Sequence, residues 1–149
     1  MADPDQVKQK VQKYLIDSFK EISLDSDGDF SLTHGSAKVW INVMQLDPDS
    51  NATDQPTIVQ VDALVLIGVT DGPELWKYIA YRADDFIFGH LSLMQLDDGT
   101  TVVSLTHRLL GDYLDEEELA QAVISVASEA NDLDDTLQRM FGGKRYNES

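Results

Sequence analysis

The sequence TIVQVDALVLIGV, residues 57–69, predicts the central strand of a β-sheet. Successive side chains of a strand point to opposite faces, so each face is read from alternate residues. One face is apolar throughout: Val59, Val61, Ala63, Val65, Ile67 and Val69. The other face is polar at one end and apolar at the other: Ile58, Gln60, Asp62, Leu64 and Leu66. We therefore expect the first face to be buried and the second to be only partly covered.

Four further strands flank the central one in the sequence. Phe30 and Leu32 belong to a short first strand, and the alternation at residues 39–44 predicts a second. The runs FIFGHLSLMQL, residues 86–96, and TTVVSLTHRLL, residues 100–110, predict a fourth and a fifth strand. The sequence DDGT between them is typical of a hairpin turn. These patterns predict an antiparallel sheet of five strands.

Three helices are expected around this sheet, because apolar residues recur there at spacings of three and four. The first is expected over residues 4–22. The second follows Asp71, which is expected to cap it, and the third follows Asp115. The resulting order, α-β-β-β-α-β-β-α, predicts an α+β fold in a single domain over residues 1–149.

The last helix is long for so small a sheet. Its apolar stripe continues until the glycine pair Gly142 and Gly143, and a helix of about 26 residues is about 39 Å long. We expect one end of this helix to project from the sheet or to meet a partner.

The acidic stretch LDSDGDFSL, residues 24–32, raises the question of a calcium-binding loop. An EF-hand loop needs a glycine at position 6, between an aspartate at position 1 and a glutamate at position 12. With Gly28 at position 6, the two end positions are Ser23 and His34, which do not fit. We interpret the stretch as a turn between the first helix and the sheet. The sequence leaves open whether a cation is bound by its three aspartates, Asp25, Asp27 and Asp29.

The chain has 27 acidic and 11 basic residues, which gives a formal net charge of −16. Such a charge repels nucleic acids and anionic membranes, so neither is expected as a partner. No cysteine is present, which excludes disulfides, zinc–thiolate sites and cysteine nucleophiles. The N-terminal sequence lacks an apolar signal core and no stretch reaches transmembrane length, so a cytoplasmic location is expected.

Motifs for catalysis or cofactor binding are missing from the sequence. It contains no G-x-S-x-G, no G-x-G-x-x-G and no phosphate-loop lysine. The histidines His34, His90 and His107 lie in separate segments without metal-ligand spacing. His90 and His107 could approach each other across a hairpin, although a structural or surface role is favoured. We therefore predict a non-catalytic protein without a metal or a cofactor.

Aromatic residues and methionine give the clearest candidates for a binding surface. In the second strand, Trp40 and Met44 face away from the more apolar side, and Phe86 and Phe88 share one face of the fourth. Helices cover only one face of a small sheet well, so one of these apolar faces could stay open. The alternative is that the second helix or the long last helix covers it. Methionine and aromatic side chains suit an adaptable binding surface. Such a face would serve self-association or a client.

The order of elements, the size, the acidity and the closing run ANDLDDTLQRMFGGKRY, residues 130–146, resemble YbjN-like proteins. The class I type III secretion chaperones, which share their fold, are similar in the same respects. The resemblance covers residues 4–146. It implies a peptide-binding, chaperone-like module without catalysis, often dimeric, that holds an extended client segment on apolar patches.

The resemblance thus assigns a role to the candidate residues. We expect Trp40, Met44, Phe86 and Phe88 to bind a protein or peptide client. A homodimer or partner interface is expected on the second helix, at Leu75, Trp76 and Ile79. The alternative is a regulatory or structural partner protein that docks through its long last helix and has no chaperone activity.

Overall fold

The computed structural model describes residues 3–52 and 54–148. The α-helices are α1 (Pro4–Ser18), α2 (Pro73–Tyr81) and α3 (Glu116–Phe141), and a short 3-10 helix (Tyr146–Glu148) follows. The strands are β1 (Ser23–Leu24), β2 (Phe30–His34), β3 (Ala37–Gln45), β4 (Thr57–Ile67), β5 (His90–Gln95) and β6 (Thr101–Leu110). They form one antiparallel sheet in the order β1-β2-β3-β4-β6-β5. Among the described residues, no helix is long and apolar enough to cross a membrane.

The α+β class is confirmed, but the sheet has six strands and not five, because the acidic stretch closes a hairpin. A carboxylate oxygen of Asp25 accepts hydrogen bonds from the backbone N–H groups of Asp27 and Asp29, at 3.1 and 3.0 Å. Gly28 supplies the positive φ of 85° that this turn requires. Ser23 and Leu24 therefore pair with β2 as β1. The first helix consequently ends at Ser18, short of the predicted end at residue 22.

The prediction of a fourth strand over residues 86–96 was wrong in its first part. Phe86 and Phe88 lie in an irregular segment, and the strand begins only at His90. Gly89 interrupts the alternation with a φ of 88°, and a Cβ atom there would lie 2.8 Å from the carbonyl oxygen of Thr106. The close approach of these two backbones sets the start of β5.

Helices α1 and α3 cover one face of the sheet, which we call the inner face. Its residues in β3 and β4 are 0% exposed: Val39, Ile41, Val59, Val61 and Ala63. Helix α1 contributes Val7, Val11 and Leu15 to the same core. The predicted burial of one face of the central strand is thus confirmed up to residue 64. A bulge between Leu64 and Leu66 then turns Leu66, predicted for the opposite face, into the core.

Helix α3 packs along its whole length, so the expected projecting end is not found. Its buried residues extend from Leu119 in the second turn to Phe141 in the last. The predicted cap is confirmed, because the Asp115 side chain accepts from the N–H of Glu118 at 2.8 Å. The helix is accommodated along the sheet without a free end.

Two neighbouring residues of α1 test this account of the core. Leu15 is 0% exposed, whereas Ile16 is 57% exposed. We expect Leu15→Ala to lower the free energy of unfolding by about 2–5 kcal/mol, because it leaves a cavity. Ile16→Ala should change it by less than about 0.5 kcal/mol. Urea denaturation of both variants measures the difference, and equal losses would contradict the packing described.

Candidate functional site

The face of the sheet opposite α1 and α3, which we call the outer face, is the candidate site. Strands β3, β4, β6 and β5 supply its residues: Lys38, Trp40, Asn42, Met44, Ile58, Gln60, Asp62, Leu64, Ile67, Val102, Ser104, Thr106, Arg108, Leu110, His90, Ser92 and Met94. All of these except Val102 and Thr106 are partly or largely exposed. The side chains of the outer face are therefore mostly accessible to solvent, whereas those of the inner face are buried in the core.

Cross-strand pairing arranges the outer face in rows. Met44, Ile58 and Leu110 form an apolar row at one end. The next row is polar, and the Nε atom of Arg108 donates to Oε1 of Gln60 at 2.9 Å. This pair satisfies two polar groups beside the apolar row. Oδ1 of Asn42, in the same polar row, is buried without a hydrogen-bond partner among the described residues.

Trp40 occupies the row beyond, beside a second hydrogen-bonded pair. The hydroxyl of Thr106 donates to Oδ1 of Asp62 at 2.6 Å. The ring of Tyr146, from the C-terminal segment, meets the Trp40 ring edge to face with centroids 6.0 Å apart. The Nζ atom of Lys38 lies 5.9 Å from the Trp40 centroid and 5.2 Å from that of Tyr146. Trp40 is thus half-buried under the protein's own C-terminal segment.

The charge of the outer face differs from that of the whole chain. Its ionised side chains are two basic residues, Lys38 and Arg108, and one acidic residue, Asp62. The chain as a whole carries a formal net charge of −16. The acidity therefore lies elsewhere on the surface, and the outer face itself does not repel an acidic segment.

Phe86 and Phe88 lie on the other side of the sheet, so the four predicted client-binding residues do not form one surface. The Phe88 ring meets the imidazole of His107 edge to face at 5.4 Å, and His107 pairs with Val61 on the inner face. Residues 85–88 and α3 enclose a cleft of about 370 Å³, lined by Phe86, Phe88 and Ile124 among others. The structure brings Trp40 and Met44 together on one face and the two phenylalanines together in this cleft.

The predicted interface residues of α2 also separate. Leu75 is 1% exposed and belongs to the core, whereas Ile79 is half-buried. Trp76 is exposed, and its Nε1 atom donates to Oδ1 of Asp71 at 2.7 Å. Asp71 therefore does not cap the helix as predicted, and the N-cap is Gly72 without a side-chain hydrogen bond. Only Trp76 and part of Ile79 are available at the surface.

Sequence reasoning missed the most exposed apolar residues in this region. Ile87 is 93% exposed, and Tyr81 and Met140 also lie largely in solvent. The signal for Ile87 was its alternation with Phe86 and Phe88, and all three residues line the cleft. Tyr81 and Met140 lie together at a second depression beside α2, which Tyr78 also lines.

The two histidines of the β5–β6 hairpin lie on opposite faces, so they do not form a cross-strand pair. His90 is on the outer face, and His107 is on the inner face beneath Phe88. Burial lowers the pKa of His107, and the nearby His90 lowers it further. Within residues 3–52 and 54–148, no group of three or more histidine or acidic side chains is placed to hold a metal ion.

Comparisons with known proteins agree with this architecture. The family model TY-Chap1, described as T3SS (YopN, CesT) and YbjN peptide-binding chaperone 1, matches residues 5–149. A chain from the crystal structure of the ExsC-ExsE complex has a similar fold, with a TM-score of 0.57 and 18% sequence identity. The match covers 92% of this chain and 97% of that chain. A search of the curated proteins finds no match.

The half-buried imidazole of His107 makes a pH effect testable. We expect NMR titration to give a pKa below the ordinary value of 6.5. Between the lowered pKa of His107 in the folded protein and the ordinary value of 6.5 in the unfolded chain, the folded protein binds fewer protons than the unfolded chain. The free energy of unfolding should therefore rise with pH across this interval and fall as the pH is lowered.

Phe88→Ala is the matched variant for this titration, because it removes the ring that covers the imidazole. We expect the pKa of His107 to move back towards 6.5 in this variant. A wild-type value at or above 6.5 would show that the imidazole is not desolvated.

Proposed function

The chain belongs to the T3SS and YbjN family of peptide-binding chaperones, and we propose that it holds an extended client segment on the outer face of its sheet. The proposed role is binding alone, without a chemical step. The observation that carries the proposal is the contrast between the two faces of β3. Val39 and Ile41 on the inner face are 0% exposed, whereas Trp40 and Met44 on the outer face are partly exposed.

The dimensions of the outer face suit an extended segment. Strand β3 has nine residues, which corresponds to about 30 Å at the rise of a β-strand. Trp40 is the largest apolar side chain on the face, and large aromatic residues often supply the main anchor of a protein interface. Met44 and Leu110, in the apolar row at one end of the face, would contact other apolar side chains of the client.

We propose the cleft beside α3 as a second contact for the client. Phe86 and Phe88 line this cleft, which lies on the inner side of the sheet. Strand β5 stands between the cleft and the outer face, and it is an edge strand. A client segment that passes over this edge could contact both surfaces and pair with β5 through its backbone.

We further propose that the protein acts as a homodimer in the cytoplasm. Exposed apolar residues on or beside α2 support self-association: Trp76, Tyr81 and Met140, next to the half-buried Ile79. Leu75 would support this surface from the core. Docking of a partner through α3 alone has less support, because the apolar stripe of that helix is already buried.

Selection from random peptides tests the proposed client site. Peptides of about ten residues, displayed on phage, would be selected on the wild-type protein and then synthesised with a fluorophore. We expect Trp40→Ser to weaken binding of a selected peptide by about 10- to 100-fold, because an apolar anchor of about 1.5–3 kcal/mol is lost. Fluorescence anisotropy measures the dissociation constants.

Two further variants complete this test. Phe86→Ser should weaken binding less than Trp40→Ser, because the cleft is the second contact. Tyr113→Ser removes an exposed aromatic side chain from the turn before α3 and should have no effect. Failure to select any peptide, or unchanged binding by a folded Trp40→Ser variant, would contradict the proposal.

The proposed dimer is tested by size-exclusion chromatography with light scattering at several protein concentrations. We expect the wild-type protein to have twice the mass of one chain. The double substitution Trp76→Ser and Tyr81→Ser should reduce it to the monomer, because the exposed apolar side chains of α2 are lost. Tyr113→Ser is the control and should stay dimeric. A wild-type monomer at every concentration would rule out this interface.

A further inference from the structure

The residues after α3, 144–148, return to the sheet and form what we call the C-terminal strap. The reversal at the end of α3 uses Gly142 and Gly143, whose φ angles are 74° and 86°. A Cβ atom on Gly143 would lie 2.9 Å from the carbonyl oxygen of Ile67 and 3.1 Å from a methyl carbon of Val69. A side chain at this position would therefore prevent the close approach of the strap to β4.

The strap joins the sheet as an extended segment at one residue pair. The N–H of Lys144 donates to the carbonyl of Ile67 at 2.8 Å, and the N–H of Ile67 donates to the carbonyl of Lys144 at 2.8 Å. The pairing of β3 with β4 ends at Leu64, so the strap uses the part of β4 beyond β3. A single bridge of this kind contributes little on its own, since isolated two-stranded pairs are marginal in water.

Arg145 anchors the strap to α3. Its Nε atom lies 3.2 Å from Oδ1 of Asp134, whose side chain is 5% exposed, and it also pairs with Asp135. Asp134 accepts a further hydrogen bond from the hydroxyl of Ser36 in the β2–β3 turn. Withdrawal of Arg145 would leave the charge of Asp134 buried without its cation, so the anchor stays in place.

The residues beyond Arg145 are held by exposed contacts. A carboxylate oxygen of Glu148 accepts from the backbone N–H of Arg145 at 3.1 Å and from Nε2 of Gln138 at 3.0 Å. These contacts lie at the surface, where water and salt weaken them. Between them, the ring of Tyr146 rests against Trp40. Oε1 of Glu148 also pairs with the guanidinium of Arg145 at 2.5 Å. The contacts of Glu148 are therefore more exposed to solvent than the contact of Arg145 with the buried Asp134.

We propose that residues 146–148 form a reversible cover over Trp40 that competes with the client for the outer face. The inference rests on the function proposed above. Tyr146 occupies the space over the largest apolar side chain of the face, so a client residue can contact Trp40 there only after the cover opens. The apparent affinity for a client is then the intrinsic affinity multiplied by the fraction of time that the cover is open.

The test measures two quantities separately: the affinity for a peptide and the exposure of Trp40 to solvent. The probe is the peptide selected on wild-type protein whose binding is lost in Trp40→Ser. We expect Tyr146→Ala to bind it about tenfold more tightly, as it would if the wild-type cover is closed about nine-tenths of the time. Glu148→Gln should give a smaller gain, because it keeps the ring and weakens only its closing contact. Tyr113→Ala is the matched control and should leave the affinity unchanged.

Fluorescence of Trp40 reports the cover without a client. In a Trp76→Phe background, where Trp40 is the remaining tryptophan, we expect Tyr146→Ala to shift its emission to longer wavelength. An unchanged spectrum would show that Tyr146 does not cover Trp40. A shifted spectrum with equal peptide affinity in all variants would overturn the competition but leave the proposed function intact. If no peptide could be selected on the wild-type protein, the proposed function would fail and the competition with it.

Discussion

The burial of the central part of the inner face of β3 and β4 is the constraint on which the rest of the molecule depends. Residues such as Ile41, Val61 and Ala63 have no exposed surface, and covering them occupies both α1 and α3. Helix α2 has nine residues and packs through Tyr78 against Phe141 at the end of α3. Because α1 and α3 pack on the inner face, the outer face is left to solvent and to the C-terminal strap, and it is the face that we propose for the client.

An uncovered sheet face has to remain compatible with water, and the proposed binding also requires apolar side chains on it. The outer face has both polar pairs and apolar side chains. Arg108 with Gln60 and Thr106 with Asp62 are hydrogen-bonded across strands, so these polar groups have partners within the sheet. The remaining apolar side chains are spread over separate rows, and the one with the largest ring, Trp40, carries the C-terminal cover. Such an arrangement limits the continuous apolar area that water meets.

The sequence predicted features that follow from local periodicity and missed those set by distant parts of the chain. The alternation in residues 57–64 predicted which face of β4 is buried. Strand β1 has two residues, too few for any period to appear. The run around Gly89 alternates as a strand would, and only the close approach of a neighbouring backbone, Thr106, ends it. Tyr146 and Trp40 are far apart in the chain, so no local sequence pattern predicts their contact.

The measurement that tests the central claim most directly is NMR of the methionine methyl groups during titration with a selected peptide. Met44 and Met94 lie on the outer face, whereas Met140 lies at the end of α3. If the outer face holds the client, the Met44 methyl resonance shifts with the peptide concentration and the Met140 resonance does not. A shift of Met140 with no change at Met44 would place the peptide away from the outer face and contradict the account.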